Sequence, residues 1–147
     1  MPQPLTVTIR ETEPTDLEAV QSLAHVAGLL EAGIAENFGR FLVAVHEGHV
    51  VGACGLEEYF GDGLLRTLVV EPESTRRRVG GKLVEAILQR ARQRELRAVY
   101  LLTTTAAAYF VEYGFIVASR DEAPLAIRGS LEFKACPAMA KFMKRTP

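Results

Sequence analysis

The chain has 147 residues, a mass of 16.1 kDa, 48% hydrophobic residues and a formal net charge of −1, which fits one domain over residues 1–147 and supplies enough apolar material for a core. A near-neutral balance excludes a surface built to blanket nucleic acid, although Arg76, Arg77 and Arg78 form one local basic run. Two distant cysteines, Cys54 and Cys136, exclude a disulfide framework and a zinc site, and without an apolar run near ~18 residues or a leader-like start a soluble cytoplasmic protein with no membrane partner is expected.

In chain order, Leu5, Val7 and Ile9 alternate with polar residues as a first strand, and Thr15 with Glu18 forms a capping box ahead of Leu17, Val20, Leu23, Ala24 and Ala27, the apolar stripe of a first helix. Gly28 to Gly39 reads as a short helix or mobile loop. Phe41 to Val45 and Val50 to Tyr59 flank His46-Glu47-Gly48-His49 as a hairpin, and Phe60-Gly61-Asp62-Gly63 turns the second strand into a third, Leu64 to Val70. Leu83, Val84, Ile87, Leu88 and Ala91 make the buried stripe of a long helix, after which Val99 to Leu102 returns as a strand. Thr103 to Thr105 can cap a helix from Ala106 to Tyr113 that Gly114 ends in the left-handed conformation. A strand from Phe115 to Ala118 follows; Asp121 to Pro137 is mixed, and Met139 to Met143 forms a last strand. The architecture implied is α+β, a mixed, mostly antiparallel sheet with helices on both faces.

The most telling stretch is the junction between Val70 and the long helix. The first-turn N–H groups of a helix lack intrahelical partners and carry the positive end of its dipole; Gly80 and Gly81 permit close backbone approach, and Arg76, Arg77, Arg78, Val79 and Lys82 surround them. A pyrophosphate-bearing ligand suits such a turn. With the strand ending in Val-Glu-Pro at 70–72, the Arg-rich turn, Leu83-Val84 and Tyr113-Gly114-Phe115, the chain resembles the GNAT acyl-CoA-dependent N-acetyltransferases. Gly55-Leu56-Glu57, Leu64 to Leu68, Leu101 to Ala106, and Ile127-Arg128 through Glu132-Phe133 to Cys136-Pro137 are similar to the small acetyltransferases associated with arsenic resistance and to the acetyltransferase part of N-acetylglutamate synthase.

The resemblance implies acetyl-CoA as co-substrate and no metal. It implies that main-chain groups of Leu68, Val69 and Val70 pair with the pantetheine arm, that the turn through Lys82 holds the phosphates, and that Thr104 and Phe110 line the cofactor. The family turn starts with Gln or Arg and has two glycines; here Thr75 and Arg78 stand at the first two of those positions, with Gly80 at the third. Leu64 occupies the place of the usual base glutamate, and Phe110 that of the usual proton-donating tyrosine, while Tyr109 reads as a packing residue. Gly28 to Gly39 corresponds to the cover over the acceptor.

Strand periodicity puts Leu64, Arg66 and Leu68 on one face, and a turn centred on Gly61-Asp62 sets Glu57 opposite Arg66. Two readings stand: Arg66 anchors an acidic group of the acceptor while Glu57 takes its proton, or the two form a cross-strand ion pair. Thr103 and Arg128 are further acceptor candidates, Thr103 to Thr105 being equally suited to capping, and Cys136 reads as a small buried residue. The expected activity is direct acetyl transfer, without a covalent acyl-enzyme, to a small amine or amino-acid-like acceptor, with an arsenic link implied by the branch and a homodimer compatible with it. Its rivals are a non-catalytic acyl-CoA sensor and an acetyltransferase of protein N-termini or lysines.

Overall fold

The structure is a computed structural model that describes residues 6–72 and 76–147; Leu5, Ser74 and Thr75 lie outside the described residues, as do the side chains of Arg76 and Arg77. Seven strands form one sheet in the order β1-β2-β3-β4-β5-β7-β6. They are β1 (Thr8–Glu11), β2 (Phe41–His46), β3 (His49–Tyr59), β4 (Asp62–Val70), β5 (Ala98–Thr103), β6 (Ile116–Ala118) and β7 (Lys141–Arg145). The helices are α1 (Leu17–Val26), α2 (Arg76–Gln93), α3 (Ala107–Val111), α4 (Leu125–Arg128) and α5 (Leu131–Ala135). Among the described residues β4 and β5 pair in parallel, whereas β1-β2, β2-β3, β5-β7 and β6-β7 run antiparallel. The mixed, mostly antiparallel sheet expected from the hairpins and the crossover is therefore present. The chain falls into two compact units, the first reaching Gly55 and adding Thr67–Ile87, the second comprising Leu56–Arg66 and Leu88–Pro147.

In the first unit Val20 and Ala24 of α1, Ile34, Phe41 and Val43 of β2, Ala53 of β3 and Val69 of β4 form one buried cluster. Helix α1 starts differently from its Thr15/Glu18 reading. Pro14 opens a 3-10 turn at Pro14–Asp16, and the Asp16 carboxylate accepts the Glu13 N–H at 2.7 Å, because proline is pre-set for a first helical position and Asp16 stands where it can reach back. Arg10 of β1 donates two hydrogen bonds to the same carboxylate and holds it below the usual range. The stretch from Gly28 to Gly39 is a series of turns ending in a 3-10 segment, Phe38–Arg40, and the fully buried Ile34 anchors it in the core. The hairpin β2-β3 closes on Glu47-Gly48, both at positive φ (49° and 79°), the twist that a two-residue turn requires. The α2 stripe is buried from Val79 through Leu83, Val84 and Ile87, and closes on Gly52, whose notional Cβ would lie 3.1 Å from Leu83 and 3.0 Å from the Val69 carbonyl.

The second unit holds a cluster of Leu64, Tyr100, Ala123, Ile127 and Phe142, with Phe133 packed against it. Its hairpin turn is Phe60-Gly61, at φ 51° and 92°, rather than Gly61-Asp62. Arg97 explains the shift: its N–H donates to the Gly61 carbonyl at 2.8 Å, and its guanidinium donates to the Phe60 carbonyl at 2.7 Å and to Asp62 at 2.9 Å. Asp62 thereby belongs to β4, and the parallel β4-β5 pairing begins at Asp62↔Ala98. The helix expected to reach Tyr113 is shorter, ending at Val111, with Gly114 at φ 86° as its terminator.

The contact between Gly55 and Phe41 gives the fold a measurable constraint. A Cβ on Gly55 would meet the fully buried Phe41 ring at 2.8 Å, whereas one on Gly39 would meet nothing within 4 Å. Gly55→Ala should lower unfolding stability by about 1–3 kcal/mol. Gly39→Ala should be neutral or slightly stabilising; urea titrations of both check the pair.

Candidate active site

Glu57 on β3 and Arg66 on β4 meet as their strand positions demand. Arg66 Nη1 donates to Glu57 Oε2 at 3.1 Å, and the Arg66 side chain has no exposed surface. The turn at Phe60-Gly61 displaces the hairpin by two positions from the register expected, which keeps both residues on one face because strand side chains repeat every two residues. The cross-strand ion pair of the second reading is present, and it is buried.

Two side chains not foreseen complete the cluster. Tyr59 donates its hydroxyl to Glu57 Oε1 at 2.5 Å, so both oxygens of Glu57 are engaged. Glu132, in the first turn of α5, points Oε2 at Arg66 Nε from 4.0 Å, yet that buried oxygen has no hydrogen-bond partner. Burial pushes the Glu132 carboxyl above its ordinary range; Arg66 opposes the shift and Glu57 adds to it. The helix carrying Glu132 is fixed at its start by Ser130, whose hydroxyl donates to the Ile127 carbonyl at 2.6 Å and accepts the Phe133 N–H at 3.2 Å. Phe133 then packs edge-on against Phe142, with the Arg120 guanidinium 5.6 Å over its ring.

Tyr59 had a sequence signal, being two residues from Glu57 on the same strand face. Glu132 lay in the segment through Glu132-Phe133 that carried the resemblance, but nothing in it pointed to Arg66, which is distant in sequence, and a five-residue helix shows no period.

The remaining expected site residues divide between the units. In the first, Val69 is buried in the core, while Leu68 and Val70 are half-buried. Gly80 and Gly81 are buried in the early turns of α2 behind Val79, and Arg78 and Lys82, one turn apart, are exposed. Thr67 has φ 56°, a left-handed conformation within β4 that a β-branched residue adopts only against a strain of about 1–3 kcal/mol. In the second unit, the Thr103 hydroxyl accepts the Ala106 N–H at 2.9 Å and so fixes the turn ahead of α3, whose N-cap is Ala106 without a side-chain cap, while Thr104 is exposed. Phe110 is buried, edge-on to Phe115 and Tyr109. Arg128 commits its guanidinium to the carbonyls of Ala123 and Asp121. The Cys54 thiol is driven far up by complete burial, and Cys136 is raised by burial with Glu132 adding to it. Among the described residues no three His, Cys, Asp or Glu side chains converge on a metal-sized site, and no helix is long and apolar enough to cross a membrane.

The model of the acetyltransferase (GNAT) family matches residues 7–115. The chain belongs to the GNAT acetyltransferase family. Among curated proteins, this GNAT chain is 33% identical over 117 residues to an amino-acid acetyltransferase of Mycobacterium tuberculosis, covering 73% of the chain and 67% of that relative. It is 35% identical over 94 residues to an amino-acid acetyltransferase of Pseudomonas fluorescens, covering 63% of the chain but only 22% of the relative. Among solved structures, N-acetylglutamate synthase from Neisseria gonorrhoeae, complexed with coenzyme A and N-acetyl-glutamate, superposes with a TM-score of 0.84 at 22% identity over 98% of this chain and 36% of that one. Rv2747 from Mycobacterium tuberculosis, in complex with CoA, gives a TM-score of 0.82 at 22% identity over 95% and 99% of the two chains.

A guanidinium cannot shed its charge, so removing it strands two buried carboxylates. Arg66→Met should cost about 3–5 kcal/mol near neutral pH. Without Arg66 the upward push of burial on the Glu132 carboxyl is unopposed, so the folded chain holds that proton more tightly than the unfolded chain and stability falls as pH rises. The deficit should be larger at about pH 8 than at about pH 5, read by denaturant titration at both.

Proposed function

We propose that this GNAT enzyme transfers the acetyl group of acetyl-CoA directly to the amine of a small amino-acid-like acceptor within a ternary complex, residues 1–147 working as one acetyltransferase domain. The observation that carries the acceptor class is the buried Glu57–Arg66–Glu132 cluster, which puts carboxylate and guanidinium groups together in a GNAT fold. The relatives named amino-acid acetyltransferases support the same class. In this reading the amine nitrogen attacks the thioester carbonyl, the C–S bond breaks, the thiolate takes one proton, and another leaves the amine. Two thiols pushed up by burial are poor nucleophiles, which favours direct transfer over an acyl-enzyme.

The chain's residues suit acetyl-CoA. Among the described residues β4 and β5 pair from Asp62↔Ala98 to Leu64↔Tyr100, while β4 runs on to Val70; this supports pantetheine pairing with main-chain groups of Leu68 to Val70. The exposed cations Arg78 and Lys82, close to the start of α2 at Arg76, support a phosphate site over 76–82, with Gly80 and Gly81 serving the packing of the helix. Arg66 is enclosed by carboxylates, so it acts in this reading by orienting Glu57 and Glu132, and it meets an acceptor carboxylate only after exchanging one of them. The resemblance to arsenic-resistance acetyltransferases extends the acceptor list to arsenic-containing amino-acid analogues. We place the enzyme in the cytoplasm, working on small molecules and not on nucleic acid or membrane, with a homodimer compatible with this reading.

A screen of amino acids, amines and peptides against acetyl-CoA, scored by acetyl mass gain and thiol release, tests this; binding of acetyl-CoA without release across the screen would favour a sensor. Arg78→Glu with Lys82→Glu, both exposed, should weaken acetyl-CoA affinity about tenfold or more with the melting temperature little changed. Calorimetric titration checks this, and the loss should shrink as salt is raised.

A further inference from the structure

Glu132 is the member of the buried cluster whose charge is left over. Two carboxylates, Glu57 and Glu132, share one guanidinium; Glu57 takes the Nη1 donor at 3.1 Å as well as the Tyr59 hydroxyl, and Glu132 Oε2 stands 4.0 Å from Nε without a hydrogen bond. The charged groups that act on Glu132 are Arg66 of β4, which favours its carboxylate, and Glu57 of β3, which opposes it, and burial outweighs the help that Arg66 gives. A buried carboxylate in that position is relieved in one of two ways, by a proton or by a cation. An ammonium supplies both, since it arrives charged and leaves its proton behind.

Resting on the acetyl-transfer reading, we propose that Glu132 Oε2 receives the acceptor's ammonium and takes the proton that this amine must lose before it attacks the thioester. The balance is closed. One N–H bond breaks and its proton goes to Glu132, the nitrogen lone pair forms the C–N bond, and the C–S bond breaks. The thiolate is protonated, the second amine proton returns to solvent, and Glu132 releases its own. Glu57, with both oxygens engaged, holds Arg66 in place and is a positioning residue. The rigid seat of Glu132 supports the assignment: Ser130 caps α5, Phe133 anchors it against Phe142, and Arg120 lies over Phe133, so the carboxylate sits on a fixed support. The titratable and charged groups facing this carboxylate are Arg66 and Glu57, with Cys136 just beyond the end of α5.

The experiment uses the full chain with acetyl-CoA and L-glutamate or the best acceptor from the screen. In Glu132→Gln, kcat/KM for the acceptor should fall about 100-fold near neutral pH, and the loss should narrow as pH rises and more acceptor amine is already neutral. Acetyl-CoA affinity should be unchanged. Because burial raises the Glu132 pKa in the folded chain, the parent loses stability as pH rises from 4.5 through that raised value. The Gln variant should lack this slope and melt no lower than the parent at neutral pH, and a variant that is more stable but slower fits a proton acceptor and not a structural tie. Glu132→Asp should recover part of the rate, and Glu132→Met carries the kinetic readout if the Gln variant fails to fold. Parent-like acceptor kinetics in Glu132→Gln, or in a folded Glu132→Met standing in for it, would overturn the proposal, as would a rate loss of equal size at every pH. If the parent acetylates no amine, the acetyl-transfer reading fails; if the parent is active and Glu132→Gln is indifferent, only the role of Glu132 does.

Discussion

A guanidinium with no exposed surface must be surrounded by acceptors, and the second compact unit is organised around meeting that demand for Arg66. Its side chain cannot be neutralised by losing a proton, so carboxylates have to come to it. Glu57 comes from the neighbouring strand, which fixes which faces of β3 and β4 look the same way. Glu132 comes from a short helix late in the chain, which requires the segment between β6 and β7 to fold back in two brief turns of helix instead of one long one. Ser130 makes that possible by closing α4 and opening α5 with the same hydroxyl. The apolar residues Ile127 and Phe133 on either side of it then tie the segment to Phe142 of β7.

Strand β4 carries two separate tasks along its length. Its first residues pair with β5, and from Thr67 on it belongs to the first unit, with Val69 in the cluster of α1 and β2. The left-handed Thr67 lies where one part gives way to the next. A strained residue inside a central strand persists only when its surroundings over-determine it, and Thr67 is itself buried.

Much of the sheet could be read from the sequence because it rests on local signals: alternation in β2 to β4, the α2 stripe from Leu83 to Ala91, and glycines where the backbone turns. The failures have physical causes. Thr15 and Glu18 have the right spacing for a capping box, but Pro14 sets the first turn one residue earlier and brings Asp16 to Glu13. Phe60 has the composition of a strand residue, yet Arg97, distant in sequence, claims its carbonyl and moves the turn. The Glu57/Arg66 pairing was legible since it needs only face parity, which a two-residue shift preserves. Its burial and the arrival of Glu132 were not, because both depend on where the residues after β6 pack.

The hold of Arg97 on the Phe60-Gly61 turn has a consequence for how the chain assembles. Parallel strands are costly to pair because the crossover between them must close a long loop before any ladder bond rewards it. Here the first residue ahead of β5 is fastened to the hairpin at the point where β4 begins, by one main-chain bond and a guanidinium that touches both sides of the turn. The hairpin is local and fast to form, so it offers a preassembled dock for the returning chain. Once Arg97 is seated, the only parallel register available is the one that starts at Asp62 and Ala98, and the two strands zip away from the dock. Early misregistration of the central sheet is thereby suppressed by a contact that lies at its rim.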